Sequence, residues 1–550
     1  MRRGFWIALL ALVPAVVDAQ QSGVDVSRYR FALTLPDSGK LIRAEAQVQF
    51  TRTRGVDTLK LDLLPPMALR AAMLGCDADA AAVAATHDRG VISVPLPAFT
   101  RPERPANDPR AMEPLDSLCV TVRYDGPPTD GLIISTDTAG RWRAFGDNWP
   151  NRARHWLASV DHPSDKALVE FVVDAPAVRT VVANGTQRAQ VTQGARKRTT
   201  WATAAPIPTY LMVIAAAPLT ATELGQTACG LASVGRCVPQ RVYTAPEQAG
   251  AMPGNFSHAD SIVAFFARLV GPFPYEQLAH LQSSTRFGGM ENAGAIFYND
   301  ALFRSKDGVS VGLIAHEVAH QWFGNAVTES EWGQLWLSEG FATYFAALYT
   351  HQAFGESAFR AELDEMRGSI LGAKVVTERP VIDSTQTDLL ALLNANSYQK
   401  GGFVLHMLRR EVGDSAFFRG VRAYWTPRVH GNARTDDLRA VMEREVGREL
   451  SWFFDQWLRR PGFAEPTVRY SYDAARRQVK LIVEQGMRFA PYRFPLAVEF
   501  TMDDGSRRAV RVNVPAQAMS EITLRETFER APTAMRADPH VDLLAAIRTP

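Results

Sequence analysis

The chain has 550 residues, 46% of them hydrophobic, with 60 lysines and arginines against 58 aspartates and glutamates, a formal charge of +2. That length allows three or four packed domains, and a nearly balanced charge with its basic residues spread among acids gives no support for nucleic-acid binding. Beyond the first twenty residues no segment is apolar for the ~20 residues that a membrane-spanning helix needs, so stable membrane insertion is not expected.

Residues 1–19 read as an export signal. Arg2 and Arg3 supply a positive start, residues 5–17 an apolar stretch, and Val17-Asp18-Ala19 a small-residue cleavage site. The mature chain is then expected to begin at Gln20 and to be exported, to a periplasm or outside the cell. Cys76, Cys119, Cys229 and Cys237 fit disulfides in such an oxidising compartment. Three pairings are open, and Cys229 with Cys237, which flank a short Gly-containing loop, is the first expectation.

From residue 24 to 219 the segments FALTLP, AEAQVQFTR, DTLKLDLL, SLCVTVRY and ALVEFVVDA alternate apolar and polar residues between turn signals, the pattern of a large antiparallel β domain. Residues 107–114 and 135–143, rich in polar residues, Pro and Gly, are expected as surface loops. After Tyr243 the period changes. Residues 255–270 predict an amphipathic helix ended by Gly271-Pro272, and helical patterns recur from Ser357, Gly402 and Thr435 through Trp457. Pro461-Gly462 closes this region and period two returns, with Asp504-Gly505 as a hairpin signal. The expected divisions are a signal at 1–19 and domains at 20–222, 223–462 and 463–550.

Residues 311–348 carry the densest chemistry. His316, Glu317 and His320 form His-Glu-x-x-His, and Glu339 follows eighteen residues later. Residues four apart on a helix lie one above the other, so both imidazoles can face one metal ion while Glu317 stands beside them, free to act on water. Val311, Ile314, Ala315, Val318, Ala319, Trp322 and Phe323 surround the polar residues and predict a buried helix. Buried unpaired, the histidines and glutamate would cost several kcal/mol, whereas a divalent ion satisfies them together. A catalytic zinc takes three protein ligands and keeps one position open, and Glu339 is placed to be the third. The chemistry expected is hydrolysis by zinc-activated water, with Glu317 as general base and then general acid.

Four further segments complete a pattern: Gly288-Gly289-Met290-Glu291-Asn292, the run Leu335-Trp336-Leu337-Ser338-Glu339-Gly340-Phe341-Ala342, Tyr398-Gln399-Lys400-Gly401 and Phe453-Phe454-Asp455-Gln456-Trp457-Leu458. In this order they resemble the zinc aminopeptidases of the aminopeptidase N and leukotriene hydrolase family. The resemblance implies a multidomain α+β fold: an N-terminal β-saddle, a thermolysin-like, mainly α catalytic domain and a small C-terminal β-sandwich. It implies no large helical C-terminal domain, since only about ninety residues follow Gly462. It also implies one Zn2+ per chain, peptide substrates with a free N-terminus, and Tyr398 as the donor to the developing oxyanion. Glu291 takes the place of the amine-binding glutamate within the substrate-binding segment Gly288, Gly289, Met290, Glu291 and Asn292.

One position departs from the family. Relatives carry a glutamine and a glutamate, two residues apart, ahead of an Asp-x-Pro. Counting back from Asp161-His162-Pro163 places Asp147 and Trp149 there. Asp147 is a candidate amine ligand or a turn residue. Two other functions stay open: an epoxide hydrolase, disfavoured because Leu390 stands where that branch carries an aspartate, and a peptide-binding protein on a retired peptidase fold. The oligomeric state is left open.

Overall fold

The computed structural model describes residues 21–99, 115–227 and 237–550. The expected signal at 1–19, the loop expected at 107–114 and Cys229 lie outside the described residues.

Alternation buries every second side chain of Ile42–Arg52 and, with one change of phase at a bulge between Val26 and Arg28, of Val24–Thr34. These two strands pair antiparallel at the centre of a nine-stranded sheet, with Phe31 opposite Ala46. Lys166–Pro176 runs parallel to the first of them. A four-stranded sheet follows, in the order Thr180–Ala183, Ile214–Ala217, Trp142–Asp147, Gly131–Thr136. The window 135–143, expected as a loop, is a hairpin: Trp142 pairs with Thr136, and only the turn around Asp137 leaves the ladder. Asp137 Oδ1 accepts from the Ala139 and Arg141 amides at 2.9 and 2.8 Å, an Asx-type turn whose polar residues mask the short flanking strands.

Two buried tyrosines fix the connection between the strands Trp142–Asp147 and Lys166–Pro176. The Val160 amide donates to Tyr29 Oη at 2.9 Å. Tyr124 donates to the Trp156 carbonyl at 3.0 Å and accepts from the Ala158 amide at 3.2 Å. The disulfide described in full joins Cys76 to Cys119, tying the end of Ala68–Leu74 to the strand Asp116–Gly126 beside it. Cys237 is disulfide-bonded too. With Cys229–Cys237 as the first expectation, Cys76 and Cys119 are the two cysteines left to pair, and strand pairing brings them together across 43 residues.

The central region has a five-stranded sheet in the order Thr220–Thr227, Val238–Thr244, Leu278–Ser283, Ala295–Asn299, Gly289–Met290. Its first strand straddles residue 222. The short last strand is antiparallel to its neighbour and forms the edge. Helices α1 (Ala259–Leu269) and α2 (Val311–His320) meet the sheet, α3 (Trp336–Phe354) packs on α2, and α4 (Glu356–Gly372) and α5 (Gly401–Val412) pack on α3. Helix α1 starts later than its pattern predicts, because Met252–Asn255 closes a separate turn. The remaining chain makes two three-stranded sheets, packed through the rings of Tyr470 and Phe500, whose centroids lie 5.5 Å apart. No described helix is long and apolar enough to cross a membrane.

Helix α3 is apolar nearly all round and buried along most of its length, as a helix at the centre of a domain must be. At Gly340 its backbone touches that of α5: a Cβ there would sit 2.8 Å from the Gly401 carbonyl carbon, and one on Gly401 would sit 3.1 Å from Gly340 Cα. This contact sets the distance between Glu339 and Tyr398, the residues on either side of it. Gly340→Ala should therefore lower the thermal midpoint by the equivalent of about 1–3 kcal/mol, an overpacking cost. The same change at Gly368, a helical position with open space around it, should be neutral or stabilising. Thermal unfolding of the two variants side by side checks the contrast.

Candidate active site

Helix α2 begins at Ser310, whose hydroxyl accepts from the Leu313 amide at 3.2 Å, an N-cap. Two turns later His316 and His320 project from one face, with Nε2 atoms 3.1 Å apart. Glu339, in the first turn of α3, brings Oε2 to 3.3 Å from each. Yet Glu339 Oε2 is a buried atom with no hydrogen-bond partner, so three lone pairs converge on one point instead of sharing protons. Ligands on a tetrahedral zinc with arms of about 2.0–2.1 Å stand about 3.3–3.4 Å apart. The three side chains thus fit a metal ion without rearrangement. His320 Nδ1 lies 3.1 Å from the Phe323 carbonyl and 3.0 Å from Ser338 Oγ. A carbonyl only accepts, so Nδ1 carries the proton and Nε2 is left basic, the usual second layer of a metal-binding histidine.

Electrostatics favour a positive charge at this point. Burial works against an ionised His320, but the carboxylates of Glu339 and Glu291 push its pKa well up. Burial also opposes an ionised Glu339, and the two imidazoles hold it down regardless. Glu317 goes the other way: burial raises its pKa well above the ordinary carboxyl range, with Glu291 and Glu339 adding to the shift. Its Oε2 has no partner. Gly289, on the edge strand, makes room for it, since a Cβ there would collide with the Glu317 carboxylate.

Glu291 follows that edge strand directly. Its carboxylate, that of Glu317 and a ring nitrogen of His320 lie within 4.8 Å of one another, and burial raises its pKa to about 7. The Glu291 carbonyl accepts from Asn325 Nδ2 at 2.6 Å and Gln321 Nε2 at 2.9 Å, while Gln321 Oε1 accepts from the Gly294 amide at 2.9 Å. Gln321 and Asn325 thus lock the edge strand to the end of α2. Sequence reasoning missed both; their nearness to His320 was the one signal available.

These groups open onto a cavity of about 480 Å³. Trp149, Phe287, Met290, Leu313, Ala346 and Leu393 form its apolar walls, and Glu291, Glu317, Glu339 and Glu362 are the carboxylates on it. No lysine or arginine lines it. Tyr398 does, from a π-helical turn, Asn396–Lys400, that runs into α5. Its ring stacks on His316 at 6.0 Å, and burial with nearby Glu339 keeps the phenol protonated.

Two predicted residues are not on the cavity wall. Asn292 is fully buried behind the edge strand, and Asp147 is buried with Oδ1 2.7 Å from Arg152 Nη2. Asp147 Oδ2 accepts from the Arg286 amide at 3.3 Å, so it braces the segment leading into Gly288. Its neighbour Trp149 does reach the wall, edge-on to Phe287 and Trp332 at 6.1 and 5.5 Å.

Profiles of the Peptidase family M1 domain and the Peptidase M1 N-terminal domain match residues 257–457 and 119–211. Together they cover just over half of the chain. Aminopeptidase N of Streptomyces lividans is 30% identical over 337 residues, 56% of this chain and 37% of that protein. Across the relatives of known sequence the matched stretch spans 34–45% of their own length. Among solved structures, a mutant M1 zinc metallopeptidase of Deinococcus radiodurans bound to a Tyr-Ser-Ala substrate superposes with a TM-score of 0.66 at 24% identity, over 80% of this chain and 95% of that one. Aminopeptidase A of Legionella pneumophila in complex with aspartic acid gives 0.80 at 16% identity, over 96% of this chain and 60% of that one. At these identities the structural likeness is one of fold.

A ligand that binds only the folded chain stabilises it, by about 2.7 kcal/mol at a hundredfold excess over Kd. Chelation should accordingly lower the thermal midpoint and added zinc restore it. His320→Ala should remove the response to both, as differential scanning calorimetry would show.

Proposed function

The chain belongs to the M1 peptidase family, and on that premise we propose that it is a zinc-dependent aminopeptidase removing N-terminal residues from peptides. The observation that carries this reading is a convergent set of three metal-type ligands with Glu291 and Glu317 beside it in one cavity. In the reading, His316, His320 and Glu339 hold one zinc per chain. When bound, zinc polarises the scissile carbonyl and lowers the pKa of water to about seven.

The residues supply the rest. Glu317 takes a proton from the attacking water and passes it to the departing amine, a role suited to a carboxylate whose pKa burial has raised well above the ordinary carboxyl range. Tyr398, kept protonated, donates to the oxygen on which negative charge develops. Glu291 accepts from the substrate's α-ammonium by charge-assisted hydrogen bonds, which restricts attack to the first peptide bond. Met290 and Gly289 offer an unpaired strand edge, along which an extended peptide can add as one more strand, and at Gly288 the nearest neighbour a Cβ would meet is Leu313 Cδ2 at 3.9 Å. Asp147 acts by holding in place the segment that leads into that edge.

Two further parts of the reading concern the whole protein. The domains run 20–222, 223–462 and 463–550. The protein is exported to the periplasm or beyond, which the N-terminal nineteen residues and the Cys76–Cys119 disulfide support.

The zinc-loaded enzyme should release the first residue of a free peptide and leave the N-acetylated peptide intact. Equal cleavage of both would sink the exopeptidase assignment. Glu317→Gln should retain zinc by elemental analysis while kcat falls by at least roughly 10²-fold. Gly289→Ala, which displaces the same carboxylate, should also keep the metal and lose most of kcat.

A further inference from the structure

The cavity holds one carboxylate that the proposed chemistry does not use. Glu362 sits on α4, half-buried, and lines the same space as Glu291, Glu317 and Glu339. Thr350 hydrogen-bonds it, and the other charge that acts on it is a like charge, Glu365. It forms no ion pair with any described lysine, arginine or histidine, although most acids around it on α4 and the helix before it do.

Its place relative to the metal ligands follows from helix geometry. Glu339, Thr343, Ala346 and Thr350 recur at spacings of four, three and four, so they share one face of α3. Thr343 and Ala346 line the cavity. Ala346 lies roughly 10 Å, and Thr350 about 16 Å, along the axis from Glu339. The cavity therefore extends from the metal ligands along this face of α3, past Thr343 and Ala346, toward Glu362 held by Thr350, with Leu313 and Leu393 among its apolar lining. A long aliphatic stem with a charged tip matches that sequence of surfaces.

Charge counting points the same way. Four carboxylates face the cavity and no lysine or arginine does. Glu291, Glu317 and Glu339 gather around the two histidines, whereas Glu362 stands apart on the cavity wall with no cationic partner among the described residues.

We propose that Glu362 is a specificity-determining residue that pairs with a lysine or arginine side chain of the substrate, making this a peptidase selective for basic residues beside the scissile bond. The assignment rests on the aminopeptidase reading above. The basic residue stands either first or second in the peptide, and the two positions are separable by experiment.

Two tripeptide series, X-Ala-Ala and Ala-X-Ala with X as Lys, Arg, Leu or Glu, are assayed with the zinc-loaded wild type, Glu362→Gln and Glu362→Lys. In one series the wild type should favour Lys and Arg over Leu by roughly tenfold or more in kcat/KM, the scale of a hydrogen bond to a charged group. Glu362→Gln should cut that basic-to-leucine ratio about tenfold, and Glu362→Lys should bring Glu above Lys. A structural role alone would slow all peptides together and leave the ratios where they were. Ratios unchanged across the three proteins in both series would overturn the assignment and leave the peptidase reading standing. Failure of the wild type to cleave any of these peptides would remove both.

Discussion

Everything about this molecule turns on the mutual repulsion of carboxylates that share one poorly solvated space. Glu291, Glu317, Glu339 and Glu362 open onto a single cavity lined by no lysine or arginine among the described residues, and at low effective dielectric such charges interact strongly. Two imidazoles are wedged among three of them, and the ionisation pattern around His320 and Glu339 shows how strongly the site favours a positive charge. A divalent cation resolves that conflict, and the tetrahedral spacing of the three ligand atoms gives it a place. Burial raises the pKa of Glu317, the neighbouring carboxylates add to the shift, and the residue is thereby prepared to move a proton.

Holding such a cluster together requires backbone, because the side chains alone would spread apart. Glu339 is presented by a helix buried on nearly all sides, and a glycine-to-glycine approach brings the segment carrying Tyr398 against it. On the other flank, Gln321 and Asn325 clamp the Glu291 carbonyl, and Gly289 leaves room for the Glu317 carboxylate. Asp147 belongs to this scaffold. Committed to Arg152 and the Arg286 amide, it orders the approach to the edge strand, while Trp149 two residues on supplies wall.

Much of this was legible in the sequence, for reasons that differ from residue to residue. His316 and His320 announce themselves through a fixed helical offset in an apolar setting, and Glu339 through a second helix of the same character. Glu291 and Tyr398 became visible by family resemblance, since a glutamate at a strand edge and a tyrosine in a turn have no pattern of their own. Gln321, Asn325 and Glu362 were not visible: their partners lie on other elements. The Cys76–Cys119 bridge is the complement of the expected Cys229–Cys237 pairing, and strand pairing is what joins it in space. The hairpin around Asp137 was hidden because turn chemistry dominated a window with short flanking strands.

What the sequence by itself determined is the order of β, α and β regions and the identity of the metal-type ligands, because both depend on local periodicity: two for strands, 3.6 for helices. What only the tertiary structure decided is which polar side chains face the cavity and which brace it. Asp147 and Trp149 are two residues apart, yet one is locked in an ion pair and the other forms the wall. Glu362 reads along the chain as one more acid on a charged helix, and it became a candidate for substrate recognition only when α4 folded beside α3. Such outcomes depend on contacts between distant elements, which no local pattern records.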